Sequence, residues 1–162
     1  LDQYDVVILG DVDPHGQRMG DQRLRMLADF VRGEDESGKK LRKTGGGSII
    51  NIGSVDGLSV PVMDTWAYAA SKAAVHHLTR MLARKLAPKQ ITVNAVAPGP
   101  FQSRMMRATL EKLGDSVAEL VPLRRIGRPD DMAGIAIFLA SRAGAYVNAT
   151  VIPVDGGISG TR

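Results

Sequence analysis

Apolar positions along the chain change their spacing several times, and each change marks an element. The run Val6–Leu9, inside YDVVILGDVD, lies between acidic and glycine residues and predicts a buried strand with a loop at its C-terminal end. The loop DVDPHGQRMGD is rich in Asp, Gly and Pro. Beyond it Leu24, Leu27, Phe30 and Val31 recur at helical intervals, with Gly33 as the stop. EDESGKKLRKTGGG is charged, then glycine-rich, and carries no apolar period, as a linker or exposed loop does.

From Ser48 the texture changes. SIINIGS predicts a β-branched strand, TWAYAASKAAVHHLTRMLARKLA an uninterrupted helix ended by Pro88, and ITVNAVAPG a strand closed by a turn. SRMMRATLEKLGDSVAEL is helical and amphipathic. PDDMAGIAIFLASRAG opens with Pro and two acidic residues, Asp130 and Asp131, where a helix dipole favours them. ATVIPVDGG closes the series as a strand running into a glycine turn. Strands alternating with helices predict an α/β fold with a parallel sheet covered on both faces. The expected division is residues 1–33 as a strand–loop–helix segment of uncertain origin, 34–47 as a linker, and 48–162 as a continuous α/β unit.

Composition narrows the function classes. Of 162 residues, 44% are hydrophobic and 23% charged, which suits a globular protein. The net charge of +4 is spread over scattered Lys and Arg, and only 4% of residues are aromatic, so neither a basic track nor stacking platforms for nucleic acid form. No apolar run nears the roughly 20 residues that span a bilayer. There is no secretory signal pattern. The expectation is a cytoplasmic protein with no nucleic-acid or membrane partner. The absence of cysteine removes disulfide and thiolate chemistry. His76 and His77 are adjacent, about 100° apart on a helix, and cannot share a metal, so they are expected at the surface or at subunit contacts. No metal site is expected.

The chemistry concentrates in Ser54, Tyr68 and Lys72. Tyr68 and Lys72 lie four residues apart near the start of a predicted helix, on one face. A free tyrosine, with a pKa near 10, is a poor base at neutral pH. An ammonium alongside and the positive end of the helix both favour its phenolate. Such a tyrosine can give a proton to a developing alkoxide and take it back in reverse. Ser54 falls just past the end of a predicted strand, at the sheet edge where open α/β sheets hold ligands, and its hydroxyl can polarise a carbonyl there.

NIGSVDG, YAASKAAVHHLTRMLA, ITVNAVAPGPFQSRM, PLRRIGRPDDMAGIAIFLAS and VIPVDGG, from about Gly46 to Gly157, together resemble the C-terminal half of a short-chain dehydrogenase/reductase. The wording is most similar to the NADP-dependent 3-oxoacyl-acyl-carrier-protein reductases, in the branch that includes the rhamnolipid-pathway type. The resemblance implies a Rossmann-like, partial doubly wound parallel sheet without the N-terminal dinucleotide-binding βαβ half. It implies NADP as cofactor and a small carbonyl substrate, with an acyl-carrier-protein thioester as one form of it. Tyr68 would be the general acid/base and Ser54 the holder of the carbonyl. Lys72 would bind the nicotinamide ribose and lower the pKa of Tyr68. Pro98, Gly99, Phe101 and Ser103 would close over the nicotinamide, Ser103 standing where the family usually has threonine. Arg104 to Leu120 would be a flap whose Met and Leu suit an acyl chain or, equally, core packing.

The resemblance stops short of the N-terminus. The family's opening TGxxxGxG turn, its NNAG strand end and its relay asparagine have no counterpart, and Asp11 and Asp13 in ILGDVDPHGQRMG would repel a pyrophosphate. Residues 1–33 faintly resemble a piece of a class I glutamine-amidotransferase-like domain without its cysteine, or replace a strand and helix of the sheet sterically. The start at Leu1 adds the expectation of a fragment, a fusion or a misassembled reading frame. The family's dimers or tetramers use helix 68–87 and the helix before it, which is missing here, so homo-oligomerisation is left in doubt. Two functions stay open: an NADP-dependent reductase, and a non-catalytic α/β remnant that binds no dinucleotide.

Overall fold

Ile49 and Ile50 point to opposite faces of their strand, and each is buried, so this strand must lie between two layers. The computed structural model describes residues 6–9, 46–61, 63–103 and 106–161. In them, β1 (Val6–Leu9), β2 (Gly47–Ile52), β3 (Ile91–Pro98) and β4 (Val151–Val154) form a parallel sheet in the order β1-β2-β3-β4. The helices are α1 (Trp66–Leu86), α2 (Arg107–Leu120) and α3 (Pro129–Ala140). The helix expected over residues 22–33 and most of the expected linker lie outside the described residues. The other expected strands and helices are present with small shifts at their ends.

The sheet has one helix against each face. On one side Ile49, Ile91 and Val93 pack with Leu82, Ala83 and Leu86 of α1. On the other, Ile50 and Val96 pack with Leu139, and with Met132, Ile135 and Ala136, of α3. Polar residues on the strands obey the same alternation. Asn51 faces α1, where its Nδ2 donates to Thr79 Oγ1 at 2.8 Å, and Ser48 faces α3, where its Oγ donates to the Leu139 carbonyl at 3.1 Å. Buried polar groups are tolerable only when paired in this way.

Asn94, fully buried in β3, sets the approach of β4. Its Nδ2 donates to the Val147 carbonyl at 2.8 Å and its Oδ1 accepts the Thr150 N–H at 3.2 Å. The 147–150 segment is thereby laid along β3 just before the register Ala95↔Val151 begins. Asn94→Ala strips partners from a carbonyl and an N–H next to the core, and is expected to lower unfolding free energy by about 2–4 kcal/mol. Urea denaturation of the two proteins measures this.

Candidate active site

β2 ends where its neighbour β3 continues, and the last ladder bond past it runs from Gly53 N–H to the Val96 carbonyl at 2.7 Å. The chain then folds into a single 3-10 turn, Val55–Gly57. Ser54 caps it: Oγ accepts the Asp56 N–H at 3.2 Å, and the Ser54 carbonyl accepts the Gly57 N–H at 3.0 Å. With Oγ accepting from the turn, the O–H hydrogen is what Ser54 has to offer a ligand.

The turn is pressed against α1. A Cβ on Gly57 would stand 2.7 Å from the Lys72 carbonyl carbon and 2.8 Å from His76 Cε1, and one on Gly53 would collide with the His76 ring. Both glycines are therefore required by close approach. His76 is 2% exposed, which overturns the expectation of a surface or subunit-contact residue; His77 is exposed. His76 is buried because it fills the space between these glycines. Its Nδ1 is 3.2 Å from the Gly57 carbonyl and its Nε2 accepts the Ser54 N–H at 3.4 Å. Burial, aided by the charges of Arg80 and Lys72, lowers its pKa against the opposing effect of the Gly57 carbonyl.

Lys72 is also 2% exposed. Its ammonium donates to the Ile52 carbonyl at the end of β2 at 3.2 Å and lies 5.4 Å from the centre of the Tyr68 ring. The four-residue spacing thus does bring the two residues together, one turn apart on α1. The start of α1 is tied back to the turn by Thr65 Oγ1, which donates to Asp56 Oδ2 at 3.4 Å. Burial raises the Asp56 pKa, and that hydrogen bond acts the other way.

The loop after β3 is fastened separately. Phe101 forms a bridge to Gly127 with its ring against that glycine, and the Gly127 N–H donates to the Pro100 carbonyl at 2.9 Å. The segment carrying Gly127 is anchored in turn by Asp131, which accepts two bonds from Arg125, at 2.6 and 2.8 Å, and the Arg128 N–H at 2.7 Å. The Arg125 bonds, then the Arg128 N–H, hold the Asp131 carboxyl well below the usual carboxylate range. Asp131 and Asp130 thus sit in the first turn of α3, as their pattern predicts. Ser103 is exposed, with Oγ accepting the Met106 N–H at 3.2 Å just ahead of α2.

Ser54, Tyr68, Lys72, Pro98, Gly99, Phe101 and Ser103 all line one cavity of about 590 Å³. Apolar residues form much of the rest of its wall: Val60, Met63, Met106, Leu113, Val117, Leu120 and Met132. α2, which supplies part of that wall, buries none of its residues and is kinked at Leu113 (φ −133°, ψ 17°). At the cavity edge Asp155 accepts the Gly157 and Ser159 N–H groups at 2.8 and 2.9 Å. Burial raises the Asp155 pKa, but the bonds from Ser159 and Gly157 outweigh it and the net shift is downward. The residues that sequence reasoning missed are His76, Gly53 and Gly57. Their signal was the pairing of two glycines around Ser54 with a polar residue four positions past Lys72.

A family model described as Enoyl-(Acyl carrier protein) reductase matches residues 31–159, and the chain belongs to the short-chain dehydrogenase/reductase family. Among its relatives are the rhamnolipids biosynthesis 3-oxoacyl-[acyl-carrier-protein] reductase of Pseudomonas aeruginosa, 49% identical over 111 residues, covering 67% of this chain and 43% of the relative. The 3-oxoacyl-[acyl-carrier-protein] reductase MabA of Mycobacterium bovis is 38% identical over 132 residues, covering 82% and 53%. The chain spans about half the length of these curated relatives. A solved structure, the Pseudomonas aeruginosa RhlG/NADP active-site complex, superposes with a TM-score of 0.73 at 36% identity, over 96% of this chain and 65% of that one.

The close approach at Gly57 can be tested against a glycine that has room. Gly57→Ala is expected to cost about 1–3 kcal/mol through overpacking against α1. Gly114→Ala, whose Cβ would meet nothing within 4 Å on α2, is expected to be neutral or to stabilise by up to about 1 kcal/mol. Thermal unfolding of the two variants checks the contrast.

Proposed function

We propose that the chain carries the proton-donating and carbonyl-orienting half of an NADP-dependent reductase acting on a 3-oxoacyl or related carbonyl. The observation that carries this reading is that Ser54, Tyr68 and Lys72 border one cavity, with the Lys72 ammonium buried beside the Tyr68 ring. A phenol and an ammonium fit ribose hydroxyls, and the uncharged backbone of Pro98, Gly99 and Phe101 with Ser103 beyond it fits the nicotinamide. The described residues therefore suit the nicotinamide end of the cofactor, and the NADP complex of the solved relative supports the same choice.

When bound, NADPH supplies the hydride. Ser54 donates its O–H to the substrate carbonyl oxygen and polarises the bond. Tyr68 delivers its proton to that oxygen as alkoxide charge develops, and the neighbouring ammonium of Lys72 stabilises the phenolate left behind. The apolar wall formed by Met63, Met106, Leu113 and Leu120 gives an acyl chain a surface to lie on, in keeping with an acyl-carrier-protein thioester as substrate. A cytoplasmic setting is consistent with such a substrate, and no helix among the described residues is long and apolar enough to cross a membrane.

Titration with NADPH, followed by nicotinamide fluorescence, and turnover of a 3-oxoacyl thioester test the reading together. The expected result is binding by both the parent chain and Tyr68→Phe, with turnover lost in the variant by at least about a hundredfold. No binding at millimolar NADPH would leave the alternative, a non-catalytic α/β remnant.

A further inference from the structure

Two contacts decide the chemical state of His76. The Gly57 carbonyl can only accept, so the facing Nδ1 carries hydrogen; the Ser54 N–H can only donate, so the facing Nε2 carries a lone pair. Together they select one neutral tautomer. An imidazolium would turn N–H against N–H at Ser54. The ring cannot relax sideways, because Gly53 and Gly57 enclose it.

We propose that His76 is the positioning residue for Ser54: its neutral imidazole accepts the Ser54 N–H, donates to the Gly57 carbonyl, and so holds the Ser54 hydroxyl at the cavity for the substrate carbonyl. The catalytic part of this inference rests on the reductase reading above. Ser54 is already linked to the turn at Asp56 N–H and Gly57 N–H. Those bonds fix the turn's shape, whereas His76, together with the Thr65–Asp56 bond, fixes where the turn sits relative to α1, and hence relative to Tyr68 and Lys72 on the same helix.

A pH dependence follows. The charged side chains near His76 are Lys72 and Arg80 on its own helix, both cationic, and Asp56 on the turn, which is bonded to Thr65; β2 and β3 carry no titratable side chain. Burial and the two cations oppose protonation. Because the folded-state pKa is depressed, the stability that goes with the neutral ring is complete above the unfolded value near 6.5 and is lost as pH falls through the folded pKa. As pH falls through the folded pKa the native ring ceases to accept the Ser54 N–H, and turnover falls on the acid side.

The experiment compares the parent chain with His76→Gln, whose side-chain oxygen can still accept the Ser54 N–H, and His76→Leu, which fills space with no polar atom. Four quantities are measured: hydrogen exchange and the pH course of the Ser54 amide resonance by NMR, Kd for NADPH, and kcat against pH. In the parent the Ser54 resonance is expected to move with the His76 ring titration. His76→Leu exchanges the Ser54 amide at least about tenfold faster and loses about tenfold or more in kcat with Kd for NADPH unchanged. His76→Gln keeps the protection and most of kcat, and lacks the acid limb. A Ser54 resonance indifferent to the His76 titration, or Gln and Leu variants that fall equally in kcat, would overturn the proposal. If His76→Leu does not fold, the acid limb in the parent and its loss or persistence in His76→Gln decide. If the parent chain reduces no carbonyl, the reductase reading fails by itself, and the Ser54 amide data alone decide whether His76 positions that residue.

Discussion

Everything at this site depends on how α1 is seated against the end of β2. The buried stripe of α1 runs Lys72, His76, Thr79, Leu82, Ala83 and Leu86. Its C-terminal half is apolar and packs on Ile49, Ile91 and Val93 like any sheet-covering helix. Its N-terminal half is polar, and each polar group meets a partner at the strand end: Lys72 the Ile52 carbonyl, His76 the Ser54 N–H and Gly57 carbonyl, Thr79 the Asn51 amide. A buried ammonium without such a partner costs several kcal/mol. The pairing converts that liability into a fixed helix position, because a helix rotated or slid by one residue would lose all four contacts together.

Much of this was legible in the sequence, for reasons that differ by element. The strands declared themselves by runs of β-branched residues, and α3 by the Pro and acidic residues of its first turn. Tyr68 and Lys72 were readable because their four-residue spacing carries a chemical meaning that hydropathy does not need to supply. His76 was not readable in the same way. A histidine beside a second histidine on a charged helix resembles a solvated face, and only the partner turn reveals that it points inward. Gly53 and Gly57 gave the complementary half of the signal, but glycines near a turn have many causes. Tertiary contact, not local pattern, decides between them.

The cavity joins two walls of different firmness. The wall made by the 53–57 turn and α1 is closely packed and held by several hydrogen bonds. The loop after β3 is held where the Gly99 N–H donates to the Val154 carbonyl at 3.0 Å and where Phe101 rests on Gly127, with the Arg125–Asp131 pair bracing the turn behind it. α2, across the cavity, buries nothing and bends at Leu113. Few buried contacts mean that little free energy opposes its displacement. The cavity thus combines a closely packed wall, which carries Ser54, Tyr68 and Lys72, with a loosely packed one.

Hydrogen-bond accounting at Ser54 shows why rigidity on that wall matters for chemistry. The N–H groups of Ser54, Asp56 and Gly57 are all committed, to His76 Nε2, to Ser54 Oγ and to the Ser54 carbonyl respectively. None of these three donors is left for a ligand. The Ser54 hydroxyl hydrogen remains as a side-chain donor at the cavity, in a residue only 6% exposed. In such surroundings a hydrogen bond to developing negative charge is worth more than in water, provided its donor does not have to reorganise. The glycines let α1 come close enough for His76 to reach, and His76 removes the freedom that would otherwise dilute the effect of Ser54.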